Sequence, residues 1–199
     1  AGWEANGCIE QLYMASSRPM AASGEIFPSS IPNRTNVWQR VPLGVVSVIS
    51  PWNFPLLLSI RSIAPALAIG NSVILKPSEF SNITGGALIA WLFEMAELPE
   101  GTFQVLSGES QIGEALVNHP QVNMISFTGS TGVGKKIAEA CAKQLKKCAL
   151  ELGGNNAIII TENADLDMSV IGAVFGAVGT AGQRCTSTRR LIIHESVYD

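Results

Sequence analysis

Gly44-Val45-Val46-Ser47-Val48-Ile49-Ser50-Pro51-Trp52-Asn53-Phe54-Pro55 is a short β-rich run closed by a turn with two prolines, and it decides how the chain reads. Branched apolar residues suit a pleated strand, whereas Pro51 and Pro55 fix φ and cannot continue a sheet ladder. A helical stretch at Leu57 to Ala68 follows, then a second apolar run at Asn71 to Leu75. The same alternation predicts strands at Phe103 to Leu106, Asn123 to Phe127 and Lys147 to Leu150. Helices are expected near Thr84 to Ala96, Gln111 to Asn118 and Gly132 to Leu145, with Gly70, Gly101 and Gly108 in the connections. Short apolar strands alternating with helices predict parallel βαβ units, hence an α/β fold with a doubly wound parallel sheet covered on both faces. Its ligand belongs at the carboxyl ends of the strands.

Outward from that sheet the pattern changes. Residues 1–22 read as helical and weakly amphipathic, and they form the helical part of a cofactor domain spanning 1–23. Gly24 to Val41, with Pro28, Pro32 and an Asn33-Arg34 turn, reads as a hairpin, too small to be stable alone. Residues 42–152 form the nucleotide-binding sheet. From 153 to 199 the pattern restarts as a strand at Asn156 to Thr161, a helix at Leu166 to Val178 and a strand at Arg189 to His194. That is too little to close a second sheet, so the chain is expected to stop short there, and an amino end that opens Ala-Gly-Trp instead of Met is expected to be processed or truncated.

Composition narrows the function. Of 199 residues, 47% are hydrophobic and 15% charged, an apolar balance that suggests surface made to face something else. A net charge of -3 offers no basic field for nucleic acid. The longest apolar region, Phe54 to Gly70, is broken by Pro55, Arg61 and Pro65 and falls short of the roughly 20 apolar residues a membrane helix needs. The four cysteines, Cys8, Cys141, Cys148 and Cys185, include no Cys-x-x-Cys pair, so neither a metal site nor a disulfide framework is expected. A soluble enzyme of a reducing, cytoplasmic compartment fits, with Cys8, Cys141 and Cys148 as small buried or half-buried thiols.

Five segments carry chemistry. Pro51 to Pro55 holds Asn53 near a strand end, where its amide can face a developing negative charge; a plain structural turn is the alternative. Lys76-Pro77-Ser78-Glu79 ends the next strand. A cation and a carboxylate there suit ribose hydroxyls, and the carboxylate repels a 2′-phosphate; a surface ion pair is the bland reading. Phe127-Thr128-Gly129-Ser130-Thr131-Gly132-Val133-Gly134 puts glycines and hydroxyls at a helix amino end, which suits phosphate or merely caps the helix. Its glycines are not spaced as Gly-x-Gly-x-x-Gly, so the usual dinucleotide fingerprint is absent. Glu151-Leu152-Gly153-Gly154 offers a general base, and Gly182-Gln183-Arg184-Cys185-Thr186-Ser187 offers an exposed nucleophilic thiol. Alone, either residue would more often be structural.

Taken together, in this order and spacing, the five segments resemble the aldehyde dehydrogenase superfamily along nearly the whole chain. Arg40 to Val45 and Ser59 to Ser62 most resemble bacterial enzymes of aromatic aldehydes such as benzaldehyde and vanillin. The resemblance implies an NAD-dependent oxidoreductase, with NADP as an alternative, that converts an aldehyde to an acid through a cysteine thiohemiacetal and thioester. It makes Cys185 the nucleophile, Glu151 the base for the hydrolytic water, and Asn53 with the Cys185 backbone N–H the oxyanion hole. Lys76 and Glu79 would hold the adenosine ribose, with Ser78 also among the cofactor-binding residues. Thr128, Gly129, Ser130, Thr131 and Gly134 would surround the pyrophosphate. Ser50, Trp52, Asn53, Gly113, Glu151 and Leu152 would complete the cofactor surface. A small-molecule aldehyde, aromatic by preference, is the implied partner, in a homodimer or homotetramer. The competing readings are a nucleotide-binding fragment without activity and a thiol hydrolase. The second lacks a base, since His119 closes a helix and His194 a strand.

Overall fold

The computed structural model describes residues 2–21 and 23–198. Ala1 and Ala22, expected in the helical opening segment, and Asp199, at the end of the second unit, lie outside the described residues.

Helix α1 (Gly2–Ser16) leads into strands β1 (Gly24–Phe27) and β2 (Asn36–Gln39). These two pair antiparallel, with Gly24 opposite Gln39, and Asn33 takes the left-handed conformation (φ 62°) in the connection. Next come β3 (Val45–Ile49), α2 (Leu57–Ala68), β4 (Ser72–Lys76), α3 (Leu88–Met95) and β5 (Phe103–Val105). They are followed by α4 (Ser110–Asn118), β6 (Val122–Thr128), α5 (Thr131–Lys143) and β7 (Lys147–Glu151). Strands β3 to β7 form one parallel sheet in the order β5-β4-β3-β6-β7. The chain works outward from β3 in one direction and then in the other, so the order reverses between β3 and β6, where such sheets open a crevice.

Alternation along the strands divides the core. Val46 and Val48 of β3, with Val73 and Leu75 of β4, pack with Ile60 and Ile63 of α2 and Ile89 of α3. On the opposite face Ile125 and Phe127 of β6 pack with Leu116 and Val117 of α4 and Ile137 and Cys141 of α5. The sheet is thus covered on both faces at its centre, but not at β7, where four of five residues are exposed. For the same reason Cys148, on this edge strand, is exposed, correcting the expectation of a buried or half-buried thiol; Cys8 and Cys141 are buried.

Two local features position the first turn. The Glu4 carboxylate of α1 accepts from the backbone N–H groups of Leu56 (2.9 Å) and Leu57 (3.1 Å), capping α2 from another helix. Trp3 meets Phe54 edge to face at 5.9 Å. The helix expected from Thr84 instead opens as a wide π-type turn at Ile83–Ala87 before α3. Gly85 and Gly86 lie so close to Pro55 and Pro77 that an added Cβ would stand 3.0 and 2.8 Å from those rings. Ordinary helical side chains there would push α3 off the sheet.

Beyond the sheet, β8 (Asn156–Ile160), α6 (Leu166–Val178) and β9 (Thr188–Ile193) form a separate parallel βαβ unit. Asp165 caps α6 by accepting from Met168 N–H at 3.0 Å. No residue of α6 is buried, and Met168, Ile171 and Phe175 are at least 65% exposed. Among the described residues, no helix is long and apolar enough to cross a membrane.

Candidate active site

Strand register brings the segments together. Ile49 stands opposite both Lys76 and Phe127, and Thr128 stands opposite Glu151, so four strand ends finish at one level. Ser50 N–H donates to the Lys76 carbonyl at 3.1 Å, and Gly129 N–H to the Glu151 carbonyl at 3.0 Å, extending the ladder into the turns.

A crevice of about 580 Å³ opens there. Ser50, Trp52, Lys76, Ser78, Glu79, Gly113, Thr128, Gly129 and Ser130 line it. Lys76 is 95% buried in residue terms and its ammonium lies 3.3 Å from a Glu79 oxygen. Glu79's own backbone amide, and then the Lys76 ammonium, hold its carboxyl below the usual carboxylate range. Ser78 Oγ accepts from Phe80 N–H at 3.3 Å, which fixes the turn bearing Glu79. On the opposite wall Ser130 caps α5, its hydroxyl accepting from Val133 N–H at 3.4 Å. The free amides and dipole of this helix end favour an anion. A buried cation beside a carboxylate on one wall and a helix amino end on the other fit the ribose and pyrophosphate of a dinucleotide. Thr131 and Gly134 line neither this crevice nor its neighbour; Gly134 is buried in α5, and Leu152 occupies the space a Cβ there would need.

A second cleft of about 550 Å³ holds Asn53, Arg61, Glu151, Leu152, Gln183, Cys185 and Arg189. It shares Pro51, Trp52, Thr128, Gly129 and Ser130 with the first, so the two are halves of one groove. Cys185 is exposed on a turn preceded by Thr180, Ala181 and Gly182, all at positive φ (54°, 54° and 67°). Two non-glycine residues in that region cost energy, a condition found where surrounding structure holds a site in place. The Asn53 amide donates to the Gln183 carbonyl at 2.6 Å, joining the first βα turn to the cysteine loop. The Arg61 guanidinium donates to Thr128 Oγ1 at 3.1 Å and lies 3.9 Å from the Glu151 carboxylate, itself two-thirds exposed. Of the histidines, neither lines either cleft; His119 caps α4 and His194 follows β9. Among the described residues, no cluster of three metal-ligating side chains occurs.

Sequence reasoning passed over Arg61, Gln183, Asn156 and Arg189. Arg61 had a signal: it is the one charge in the apolar run from Phe54 to Gly70, and a lone cation in a buried helix needs a partner. Asn156, whose side-chain amide donates to the Cys185 carbonyl at 2.7 Å, had none, because that contact spans 29 positions.

Comparison with known proteins bears on the whole chain. The aldehyde dehydrogenase family model matches residues 1–199. Benzaldehyde dehydrogenase [NAD(+)] of Pseudomonas putida is 50% identical over 195 residues, covering 98% of this chain and 40% of that protein. Vanillin dehydrogenase of Amycolatopsis sp. is 45% identical over 199 residues, covering 100% of this chain and 41% of that protein. The crystal structure of a salicylaldehyde dehydrogenase from Pseudomonas putida G7, complexed with salicylaldehyde, superposes with a TM-score of 0.93 at 36% identity. That match covers 98% of this chain and 41% of the other. The chain therefore spans about two fifths of the length of these relatives.

Proposed function

The chain belongs to the aldehyde dehydrogenase family, and from that premise we propose that it carries the cofactor groove and nucleophile of an enzyme oxidising an aldehyde to a carboxylic acid with NAD, or with NADP in its place. The observation that carries this reading is the wall shared by the nucleotide crevice and the Cys185 cleft. A dinucleotide lying along it would reach from Lys76 and Glu79 toward the thiol.

In this reading the Cys185 thiolate, its proton already released to solvent, adds to the aldehyde carbon, forming a C–S bond while the carbonyl π bond breaks and its oxygen becomes an oxyanion. The Asn53 amide and the Cys185 backbone N–H stabilise that oxyanion. A nicotinamide cofactor held along the groove by Lys76, Glu79 and Ser130 would supply the hydride acceptor, which would leave the carbon on Cys185 as a thioester. Glu151 then accepts a proton from a water that attacks the thioester; the C–S bond breaks, the acid leaves and the Cys185 thiolate is restored. Ser50, Trp52, Ser78, Gly113, Thr128, Gly129, Ser130 and Leu152 shape the cofactor surface. Thr131, exposed at the start of α5, and Gly134, buried in its first turns, belong to the same proposed pyrophosphate end of the surface.

Residues 42–152 form the NAD-binding domain, with 1–23 as its helical part, 24–41 as an oligomerisation hairpin and 153–199 as part of the catalytic domain. Exposed Ile26 and Val37 on the hairpin suit burial in a homodimer or homotetramer. The aromatic substrates named for the benzaldehyde, vanillin and salicylaldehyde relatives support an aromatic aldehyde here. Four free cysteines suit a reducing compartment, the cytoplasm.

Two variants test the chemistry. Cys185→Ser is expected to abolish oxidation, and Glu151→Gln to give one burst of NADH and stall with an acyl group on Cys185. Mass spectrometry finding no adduct on the stalled Cys185 would remove Glu151 from deacylation. The bare, apolar α6 favours a second reading, in which these 199 residues alone bind the dinucleotide without turning it over. Cofactor titration beside steady-state NADH production with benzaldehyde separates the two.

A further inference from the structure

Two residues after Gly154, at the start of β8, the Asn156 side-chain amide donates to the Cys185 carbonyl at 2.7 Å and to the Ser187 carbonyl at 3.2 Å. Inside the same turn Ser187 N–H donates to the Arg184 carbonyl at 3.2 Å, and Arg184 N–H donates to Ser187 Oγ at 3.2 Å. Ser187 is 99% buried, so the turn is anchored from below.

These bonds act on the two peptide planes that meet at the Cys185 Cα. The plane from Arg184 to Cys185 is held through the Arg184 carbonyl. Because a trans peptide points its N–H opposite its C=O, the same bond aims the Cys185 N–H away from Ser187. Among the described residues, the plane from Cys185 to Thr186 is held by Asn156 alone, through the Cys185 carbonyl. With both planes fixed, φ and ψ of Cys185 are fixed, and so are the starting direction of the sulfur and the heading of the N–H. The pairing of β8 with β9 shifts register between Asn156 and Ala157, an irregularity of the kind that re-aims a side chain. Gly154 keeps the approach open, since an added Cβ would stand 3.3 Å from the Cys185 carbonyl oxygen.

We propose that Asn156 is a positioning residue for the nucleophile: its amide clamps the Cys185 and Ser187 carbonyls so that the Cys185 sulfur and backbone N–H meet the aldehyde in one fixed geometry. This rests on Cys185 being the nucleophile. Asn156 touches neither substrate nor cofactor; it acts through the backbone of the turn. The segment running from Glu151 to Asn156 therefore holds the base at one end and the clamp on the nucleophile at the other.

Asn156→Asp keeps the side chain's size but turns an acceptor oxygen toward two carbonyls, and Asn156→Ser keeps one shorter donor. In the full-length enzyme, pre-steady-state NADH formation with benzaldehyde as probe separates geometry from folding, because burst amplitude counts intact sites and the burst rate constant reads alignment. The expected result is a rate constant lowered about 10- to 100-fold in the Asp variant, the scale of a misplacement near 1 Å, and less in the Ser variant. Cofactor Kd and aldehyde KM should stay near wild type. A reduced amplitude with an unchanged rate constant in either variant would overturn the proposal. Iodoacetamide labelling of Cys185, read by peptide mass with Cys148 as internal standard, needs no turnover. An altered Cys185 rate against a constant Cys148 rate is expected in the Ser variant, and identical rates would equally overturn it. A wild-type burst that survives Cys185→Ser would sink the nucleophile assignment instead, a distinct outcome.

Discussion

The Asn53 amide reaches the carbonyl of Gln183, 130 positions away, at 2.6 Å. One N–H of the amide joins the turn after β3 to the loop of Cys185, two residues beyond Gln183. In the proposed mechanism the second N–H serves the oxyanion. Asn53→Ala removes both bonds at once. The acylation burst should fall about 100- to 1,000-fold, as for loss of one oxyanion donor, with cofactor affinity kept because the Lys76 and Ser130 walls are untouched. Stopped-flow NADH absorbance checks this, and a wild-type burst rate would take Asn53 out of the oxyanion hole.

How the site assembles explains what the sequence could reveal. Strand ends are legible, because apolar runs stop at Pro51, Pro77 and Gly129, and parallel register then sets Ser50, Lys76, Thr128 and Glu151 level. The doubly wound sheet follows from the same alternation. Contacts made by single polar side chains across long separations are not legible. Glu4 capping α2, Arg61 bridging Thr128 and Glu151, and Asn156 holding the cysteine turn each depend on where two distant elements meet. The wide turn at Ile83–Ala87 is not legible, because the close approach of Gly85 to Pro55 and of Gly86 to Pro77 exists only in the fold.

Glu79 should set the choice of cofactor. A carboxylate beside the ribose repels a 2′-phosphate, and juxtaposed like charges cost several kcal/mol. Glu79→Gln is therefore expected to raise affinity for NADP relative to NAD by about tenfold or more. Its folded-state pKa is lowered, so the charge is fully present above the ordinary carboxylate range and is lost only as pH falls through the lower folded value. Discrimination against NADP should accordingly persist to mildly acid pH. Fluorescence titration of both cofactors at pH 5 and pH 7 measures this, and a variant with unchanged preference would refute the role.

The Glu4 cap should matter for stability more than an exposed carboxylate would. It satisfies two amides that open α2 directly after the Asn53 turn. Removing a cap typically costs about 1 kcal/mol, and a domain of this size loses roughly 2–4 °C in Tm for each kcal/mol. Glu4→Ala should lower Tm by about that amount, whereas Glu4→Gln, which keeps an acceptor oxygen, should lose less. Calorimetry distinguishes the two, and equal losses would mean that charge, not the hydrogen bonds, is what Glu4 supplies.

The four thiols should differ in reactivity according to where the fold puts them. Burial, and then the Glu4 carboxylate, push Cys8 up to about 11 from an ordinary 9.0. Cys141 is raised by burial and by the neighbouring Cys148 thiol, with Lys146 pulling the other way. Cys148 and Cys185 are exposed. At pH 8, iodoacetamide should label Cys148 and Cys185 and spare Cys8 and Cys141, with peptide mass mapping as the readout. The raised Cys8 value also has a stability consequence. Between about 9 and 11 the folded protein keeps a proton that the unfolded chain has lost, so the thiol's contribution is present below pH 9 and disappears as pH rises through that window. Melting temperature should decline over the window, and Cys8→Ala should flatten the decline while lowering Tm throughout. Parallel curves for the two proteins, or rapid labelling of Cys8 at pH 8, would show that α1 does not keep this thiol packed against α2.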